Sequence, residues 1–164
     1  MTFILARPQG VAVPRIVERN VAAAQAWSLG ALLLVDANGA YAERGASPAL
    51  LFGVAESDYG PDTSGFNFYG REGFPPGKMQ ATKAKGMTFR AEYEGSLPVA
   101  DGGTYNVIRS ADGKWRVNFA LTAAPRVTLV GRIDTVGQTG GAPALGTGTK
   151  LVLVQFIDTN CQDL

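Results

Sequence analysis

The segment MTFRAEYE, residues 87–94, constrains the fold more than any other stretch of this chain, because apolar and polar side chains alternate along all of it. A repeat of two residues is that of a β-strand whose one face packs on a core while the other meets solvent. The sequence therefore predicts a half-buried strand. Its apolar face would carry Met87, Phe89, Ala91 and Tyr93, and its polar face Thr88, Arg90, Glu92 and Glu94.

A second β signal follows in YNVIRSADGKWRVNFAL, residues 105–121, where Asp112-Gly113 separates two strand-like runs. An Asp-Gly pair tolerates the backbone conformation of a tight turn, so this segment is typical of a β-hairpin. Trp115, Val117 and Phe119 alternate with polar residues after the turn. We expect Trp115 to begin an inward-facing row and to belong to the core.

The densest apolar run of the chain, around Leu32, predicts a buried strand over residues 29–35. It is followed by Asp36-Ala37-Asn38-Gly39, residue types favoured in turns, and by the short returning strand AYAE. Residues 49–57 predict a further strand, in which Gly53 would mark a bulge.

RVTLVGRID and KLVLVQFID, near the end of the chain, predict two more strands. With 21 glycines and nine prolines among 164 residues, the chain favours many turns over long helices. Seven or eight short strands are typical of a small β-barrel or sandwich. We therefore expect a mainly β protein with a single β domain over residues 26–164.

The first 25 residues differ from this pattern. Pro8, Gly10 and Pro14 predict an extended N-terminal arm or an edge strand for the first nineteen residues. The stretch NVAAAQAW has modest helical propensity, with Asn20 as a possible N-cap, and forms either a short helix or a connector.

Residues 58–86 are rich in glycine, proline and aromatic residues and show neither a helical nor a strand period. We interpret them as one long loop, and loops of this length inside a compact domain are usually functional or disordered. Aromatic residues and arginine are enriched where proteins contact partners. The predicted partner-binding residues of this loop are Phe66, Phe68, Tyr69, Arg71 and Phe74, and those of the N-terminal arm are Phe3, Ile4 and Arg7.

The residues that many enzymes and metal sites use are scarce. The chain has no histidine and one cysteine, Cys161, which removes histidine bases and ligands, internal disulfides and cysteine-rich zinc sites. The turn that starts at Asp36 lacks the acid of a calcium loop at its twelfth position, where Ser47 stands. The glycine-rich run before Lys150 does not match a phosphate-binding loop, because Lys150 opens a predicted strand and no helix follows it. We therefore predict no catalytic residue, no metal and no cofactor. Glu92 and Glu94 lie on the polar face of the strand predicted over residues 87–94, and we interpret this face as one exposed to solvent.

The charge and the hydropathy of the chain exclude two classes of binding partner. A formal net charge of +1 gives no long-range attraction to nucleic acid or to an anionic membrane. The start MTFILARPQG has no signal-peptide pattern, and the apolar run around Leu32 is shorter than the ~20 residues of a spanning helix. We expect a chain that is made in a reducing cytoplasm and binds neither nucleic acid nor membrane.

Taken together, two parts of the sequence resemble the head decoration, or cement, proteins of tailed bacteriophages. The first is AWSLGALLLVDANGAYAERGASPALLFGVAES, residues 26–57, in which a strand with a glycine, an Asp/Asn-Gly turn and a Gly-Val-Ala strand follow one another. The second is YNVIRSADGKWRVNFALTAAPRVTLVGRID with LVLVQFID, within residues 104–157, which is similar to the closing strands of such proteins.

This resemblance implies a tulip-like β-barrel that binds and stabilises the outer surface of a phage capsid. The implied partners are the major capsid protein and further copies of the chain, with a trimer favoured, and the implied location is the exterior of the virion. The N-terminal arm and the long loop would act as grips, since an extended segment can add to a sheet edge of a partner. The alternative is a virion-borne domain that binds carbohydrate or a host surface through the aromatic loop.

Overall fold

A computed structural model describes residues 3–8, 14–43, 50–60, 77–98, 100–132 and 151–164. The predicted mainly β fold is confirmed: the described residues form eleven strands, arranged in two sheets, and one short 3-10 turn at Asp158–Asn160. The strands are β1 (Phe3–Pro8), β2 (Ile16–Asn20), β3 (Leu32–Val35), β4 (Tyr41–Glu43), β5 (Gly53–Ala55), β6 (Lys78–Lys83), β7 (Met87–Glu94), β8 (Thr104–Arg109), β9 (Trp115–Asn118), β10 (Val127–Arg132) and β11 (Leu151–Phe156).

The first sheet closes into a five-stranded barrel in the order β7-β11-β10-β8-β9. Its neighbours are antiparallel except at the closure, where Tyr93 and Glu94 of β7 run parallel to Val117 and Asn118 of β9. β1 is an additional strand that pairs antiparallel with the beginning of β7. The barrel form of the prediction is therefore the one that the structure shows.

The second sheet is antiparallel, in the order β2-β6-β5-β3-β4, and it curls until its two outer strands approach one another. Val21, just after β2, forms a bridge with Tyr41 of β4. The Tyr41 hydroxyl donates to the carbonyl oxygen of Val17 at 2.6 Å. The ring of Tyr41 packs 5.7 Å from that of Phe52, over which the Arg19 guanidinium lies at 5.5 Å. The side chain of Tyr41 thus connects β4 with β2 and with Phe52, the residue before β5.

The alternation read from the sequence is confirmed on both predicted segments. Met87, Phe89, Ala91 and Tyr93 are all buried, as are Trp115, Val117 and Phe119. These residues belong to one contiguous core that draws on both sheets.

Thr88 departs from that alternation, because it is fully buried although it lies on the face predicted to be polar. Its Oγ1 accepts a hydrogen bond from Gln155 Nε2 of the neighbouring β11 at 3.1 Å. A buried hydroxyl with a partner avoids the cost of desolvation, so the strand tolerates a polar residue at this position.

The predicted turn after β3 is confirmed and has a defined cause. Asp36 Oδ1 accepts hydrogen bonds from the backbone N–H groups of Asn38 and Ala40 at 2.8 and 2.9 Å. Gly39 has φ of +78°, a conformation that side chains with a Cβ rarely adopt. Asp36 therefore serves as a turn former.

The predicted bulge at Gly53 is wrong. The residue pairs in unbroken register with Leu33 on one side and Lys83 on the other. A Cβ at this position would lie 2.3 Å from the carbonyl oxygen of Thr82, so glycine is needed for the close approach of β5 and β6.

Of the two alternatives predicted for residues 20–27, the connector is present and the short helix is not: Ala24 has φ of +58°, and Val21 and Trp27 form bridges with distant residues instead of a helical turn. The predicted loop over residues 58–86 is too long, because β6 occupies residues 78–83 and lies inside the second sheet, between β2 and β5. Met79 and Ala81 of β6 are buried, and they supply the apolar surface that holds this strand in place.

The last described segment ties the second sheet to the barrel. Leu51 donates its backbone N–H to the Asn160 carbonyl and accepts from the backbone N–H of Gln162. The Gln162 side chain accepts from the N–H of Val35 at 2.8 Å and donates to the Val35 carbonyl at 2.9 Å. One amide side chain thereby provides a hydrogen-bond partner for both the N–H and the C=O group of Val35, the last residue of β3.

We predict that Trp115→Ala lowers the free energy of unfolding by about 3–5 kcal/mol, because a large buried ring is removed. Trp115→Phe keeps most of the ring but loses the indole N–H, which donates to Glu43 Oε1 at 2.8 Å, and should cost nearer 1 kcal/mol. Urea unfolding of the two variants measures both values. A loss below about 1 kcal/mol for Trp115→Ala would show that this ring does not support the core.

Candidate functional site

The predicted partner-binding residues of the N-terminal arm lie on β1. Phe3 is 1% exposed, and its ring centroid is 5.3 Å from that of Phe156, which in turn lies 5.5 Å from Phe89. Phe3 therefore belongs to the core of this chain and could reach a partner only if β1 left β7. Ile4 is half-buried. A partner-binding role for either residue stays a prediction.

The pairing of β1 with β7 is interrupted once. Phe3 to Leu5 pair in register with Ala91 to Phe89, and the register shifts before Arg7 pairs with Thr88. Ala6, at the shift, is exposed. Such a bulge bends a strand and increases its twist. The side chain of Arg7 lies outside the described part of the structure, and its predicted contact is untested.

β1 forms one border of the barrel sheet, and within the described ranges its only neighbouring strand is β7. The border of the second sheet at β4 is different. Ala22 donates its backbone N–H to the Tyr41 carbonyl, and the Glu43 N–H is accepted by the side chain of Gln25 at 2.9 Å. The chain therefore covers the edge of β4 with its own residues.

The five partner-binding residues predicted between residues 58 and 86 all fall in residues 61–76, which are outside the described residues. Their roles stay predictions. The residues concerned are Phe66, Phe68, Tyr69, Arg71 and Phe74.

An aromatic pair that the sequence did not predict lies just before this segment. Trp27 and Tyr59 exchange two backbone hydrogen bonds at 2.8 and 2.9 Å, and their ring centroids are 5.0 Å apart. Trp27 is 6% exposed, and its buried indole N–H has no hydrogen-bond partner among the described residues. The residue types alone gave no signal for this contact, because it joins segments that are distant in sequence.

The carboxylates on the polar face of β7 are bound by an arginine. Arg116 of β9 donates to both carboxylate oxygens of Asp112 at 2.9 and 2.8 Å and to Glu92 Oε2 at 3.1 Å. Glu94 Oε1 lies 3.7 Å from Arg116 Nη1 and also accepts from the hydroxyl of Ser110. Glu92 and Glu94 share one face, as predicted, but the interpretation of that face as solvated is wrong for Glu92, whose side chain is only 15% exposed. The guanidinium of Arg116 covers it and holds the three carboxylates together. The arrangement orders the β8–β9 turn against β7.

A second carboxylate links the two sheets. Glu43 of β4 accepts from Trp115 Nε1 at 2.8 Å and from Arg109 Nε at 2.9 Å, both on the barrel. The Glu43 side chain is 14% exposed and that of Arg109 is 47% exposed, so the hydrogen bond from Trp115 is better shielded from water than the ion pair with Arg109. Glu43 therefore fixes the position of β4 on the barrel.

Reactive groups are few in the described part of the chain. Cys161 is buried, and burial, followed by the negative charge of Asp158, raises the pKa of its thiol to about 11. The thiolate, which is the reactive form, is therefore disfavoured at neutral pH. No group of three or more acidic or cysteine side chains that could hold a metal ion occurs in the described ranges. No helix in those ranges is long and apolar enough to cross a membrane.

We predict that Asp112→Asn removes part of the acid sensitivity of folding. The hydrogen bonds from Arg116 lower the pKa of Asp112 to about 2, from an ordinary value of 3.8. Since the unfolded chain binds this proton at a higher pH, the ionised carboxylate contributes fully to stability above about pH 4, and the contribution is lost as the pH falls towards 2.

Urea midpoints measured from pH 7 down to 2 test this prediction. The difference between the native chain and Asp112→Asn should shrink across the acid range. A difference that stays constant down to pH 2 would show that the ion pair with Arg116 does not depend on the charge of Asp112.

Comparisons with known proteins give no relative from which a role could be carried over: a scan against protein-family models, a search of curated proteins and a search of solved structures each found no match.

Proposed function

We propose that this chain is a structural protein of a tailed-phage virion, a head decoration protein that binds the outer surface of the capsid and stabilises it. Its partners are the major capsid protein and further copies of itself, with a trimer favoured. The proposal is supported by the resemblance of residues 26–57 and 104–157 to decoration proteins. In the structure, those residues supply β3 to β5 and the last four strands of the barrel.

The observation that carries the proposal is the position of β1. An edge strand presents unpaired backbone N–H and C=O groups to a strand of another molecule. β4 is covered by residues 21–25 of the same chain, whereas β1 has β7 as its only neighbour among the described strands. β1 is also anchored by the buried ring of Phe3. A strand that is fixed on one side, and that has no second neighbouring strand among the described residues, suits a protein that attaches to a lattice.

The ties between the two sheets add a second argument. A protein that reinforces a shell must resist deformation itself. Glu43 joins β4 to the barrel, and Gln162 joins the last segment to β3, so polar contacts reinforce the shared apolar core. Satisfied polar networks of this kind favour a single rigid arrangement.

Co-sedimentation tests the proposal. The purified chain is mixed with heads of its own phage that lack it, and bound protein is measured against its concentration. We expect saturable binding at a fixed number of copies per head and a higher temperature of head disruption. Absence of binding to expanded heads at saturating concentration would contradict the proposal, and binding to a glycan array in that case would favour the carbohydrate-binding alternative.

The predicted binding of the capsid by the aromatic residues between 58 and 86 can be tested by substitution. We predict that the triple variant Phe66→Ser, Phe68→Ser, Phe74→Ser keeps nearly the native melting temperature and binds heads at least tenfold more weakly, because apolar contacts with the partner are lost. Leu121→Ser is the matched control, since Leu121 is 41% exposed on the barrel and should alter neither property.

Melting curves and the same co-sedimentation assay measure both effects. If the triple variant unfolds the isolated chain, these phenylalanines belong to its own core, and the grip must be abandoned.

A further inference from the structure

The barrel and the second sheet share one topology. In chain order, the five strands β2 to β6 take the same places in the second sheet as β7 to β11 take in the barrel. Neighbouring strands are antiparallel in both, except that the first and third strands of each run parallel where the sheet closes, at Val21 and Tyr41 in one and at Tyr93 and Val117 in the other. Residues 16–83 and 87–156 are therefore two units of one fold.

The pairing of residues agrees as well as the order of the strands. The hairpins over residues 32–43 and 106–117 align without a gap, and a glycine with positive φ occupies the same place in both turns, at Gly39 and Gly113. The opposed residues also correspond: Val35–Tyr41 with Arg109–Trp115, and Leu33–Glu43 with Val107–Val117. Two hairpins that match residue for residue fix the alignment of the two units.

This alignment extends around both sheets and identifies the part of β7 that corresponds to β2. When the antiparallel pairs are followed from each hairpin to the first strand of its unit, residues 17–21 correspond to residues 87–91. The closing contacts provide an independent check, because the same register of parallel strands closes both sheets. The edges of β2 and β7 can therefore be compared directly.

A strand covers this edge in the barrel, whereas no described strand covers it in the second sheet. Residues 87–91 pair with β1. The corresponding part of β2 has β6 as its only neighbouring strand in the described part of the chain. The Arg15 carbonyl and the Val21 N–H bond to the β6 side, so the backbone groups of Ile16 and Glu18 point the other way. β2 therefore presents these groups at an edge without a described neighbour.

The core beneath the two edges differs, and this difference restricts the strand that β2 accepts. Phe3 of β1 inserts its ring into the core of the barrel. In the second sheet Tyr41 is fully buried, and its hydroxyl donates to the carbonyl oxygen of Val17 on β2. The sheet thus fills the space beneath β2 with an aromatic side chain of its own. A strand added to β2 supplies backbone groups, and its own apolar side chains have to be packed elsewhere.

The outer edge of β1 meets this requirement. One edge of β1 pairs with β7 and Phe3 is buried in the barrel, while the other edge has no neighbouring strand among the described residues. The charges are complementary, because Arg7 is the only charged residue of β1 and Glu18 is an exposed acidic residue of β2. Glu18 lies 3.8 Å from Lys78 in an exposed ion pair, a type of contact that contributes little and leaves the carboxylate available.

We propose that the edge of β2 binds the outer edge of β1 in a second copy of this chain, so that a continuous sheet runs from β7 and β1 of one copy into β2 and β6 of the next. The two edges belong to different units of the chain, which makes the contact heterologous. A heterologous contact that closes gives a ring, and a ring leaves neither edge exposed. The inference rests on the self-association in the proposed function and names its surface, but it does not require the capsid.

Sedimentation velocity of the full chain without capsid tests this contact. Glu18→Pro removes the outward N–H of β2 and blocks an approaching strand, but it leaves the bonds to β6 in place. We expect the native chain to form a closed ring, with a trimer favoured, and Glu18→Pro to associate at least about tenfold more weakly at a similar melting temperature. Glu18→Gln keeps the N–H and is the matched control, which should associate nearly as the native chain does.

A native chain that stays monomeric at its highest soluble concentration, or a folded Glu18→Pro chain that associates as the native chain does, would overturn the proposal. Co-sedimentation of the same samples with heads is scored separately. Loss of the ring with retained binding to heads would therefore leave the capsid function standing.

Cross-linking gives a second measurement that does not depend on the proline variant. Ala6→Cys and Glu18→Cys place thiols on the two edges, since both positions are exposed, and the native Cys161 is buried. A short thiol-specific cross-linker should join the two variants when they are mixed, and it should join neither variant to itself to the same extent. Absence of mixed dimers, or dimers that form as readily from one variant alone, would overturn the proposal.

Discussion

The structure depends on the pairing of β7, which is hydrogen-bonded along both edges. β11 occupies one edge, while β1 and β9 divide the other between the beginning and the end of the strand. Because side chains alternate with a period of two, a slip of β7 by one residue would turn Phe89 and Tyr93 out of the core. Closure of the barrel, burial of Phe3 and the position of β1 at the border all follow from this one register.

The features that the sequence predicted are those set by neighbouring residues. The alternation of residues 87–94, the Asp-Gly hairpin and the Asp36 turn each depend on local backbone and side-chain chemistry, and each is present. β6 was missed because its pattern of buried residues is short, with lysine at both ends, and because it follows a stretch rich in glycine and proline. β6 is held in the sheet by its pairing with β2 and β5, which are distant from one another in sequence.

Contacts between distant segments account for the other differences. Gly53 is required because the carbonyl of Thr82, on β6, lies close to it. Residues 20–27 form no helix, and Trp27 at their end forms a β-bridge with Tyr59. The candidate site shows the same limit. Sequence placed Glu92 and Glu94 on one face, but the guanidinium of Arg116 and the link from Glu43 to the barrel exist only once the sheets have packed.

Attachment to a capsid surface is the central claim, and an image of the particle tests it most directly. Electron cryomicroscopy of heads saturated with the chain, compared with heads that lack it, locates the added density. The proposal predicts density on the outer surface at a symmetric position of the lattice, into which the five-stranded barrel fits with β1 facing a neighbouring subunit. Added density inside the shell or at the tail, or identical maps with and without the chain, would contradict it.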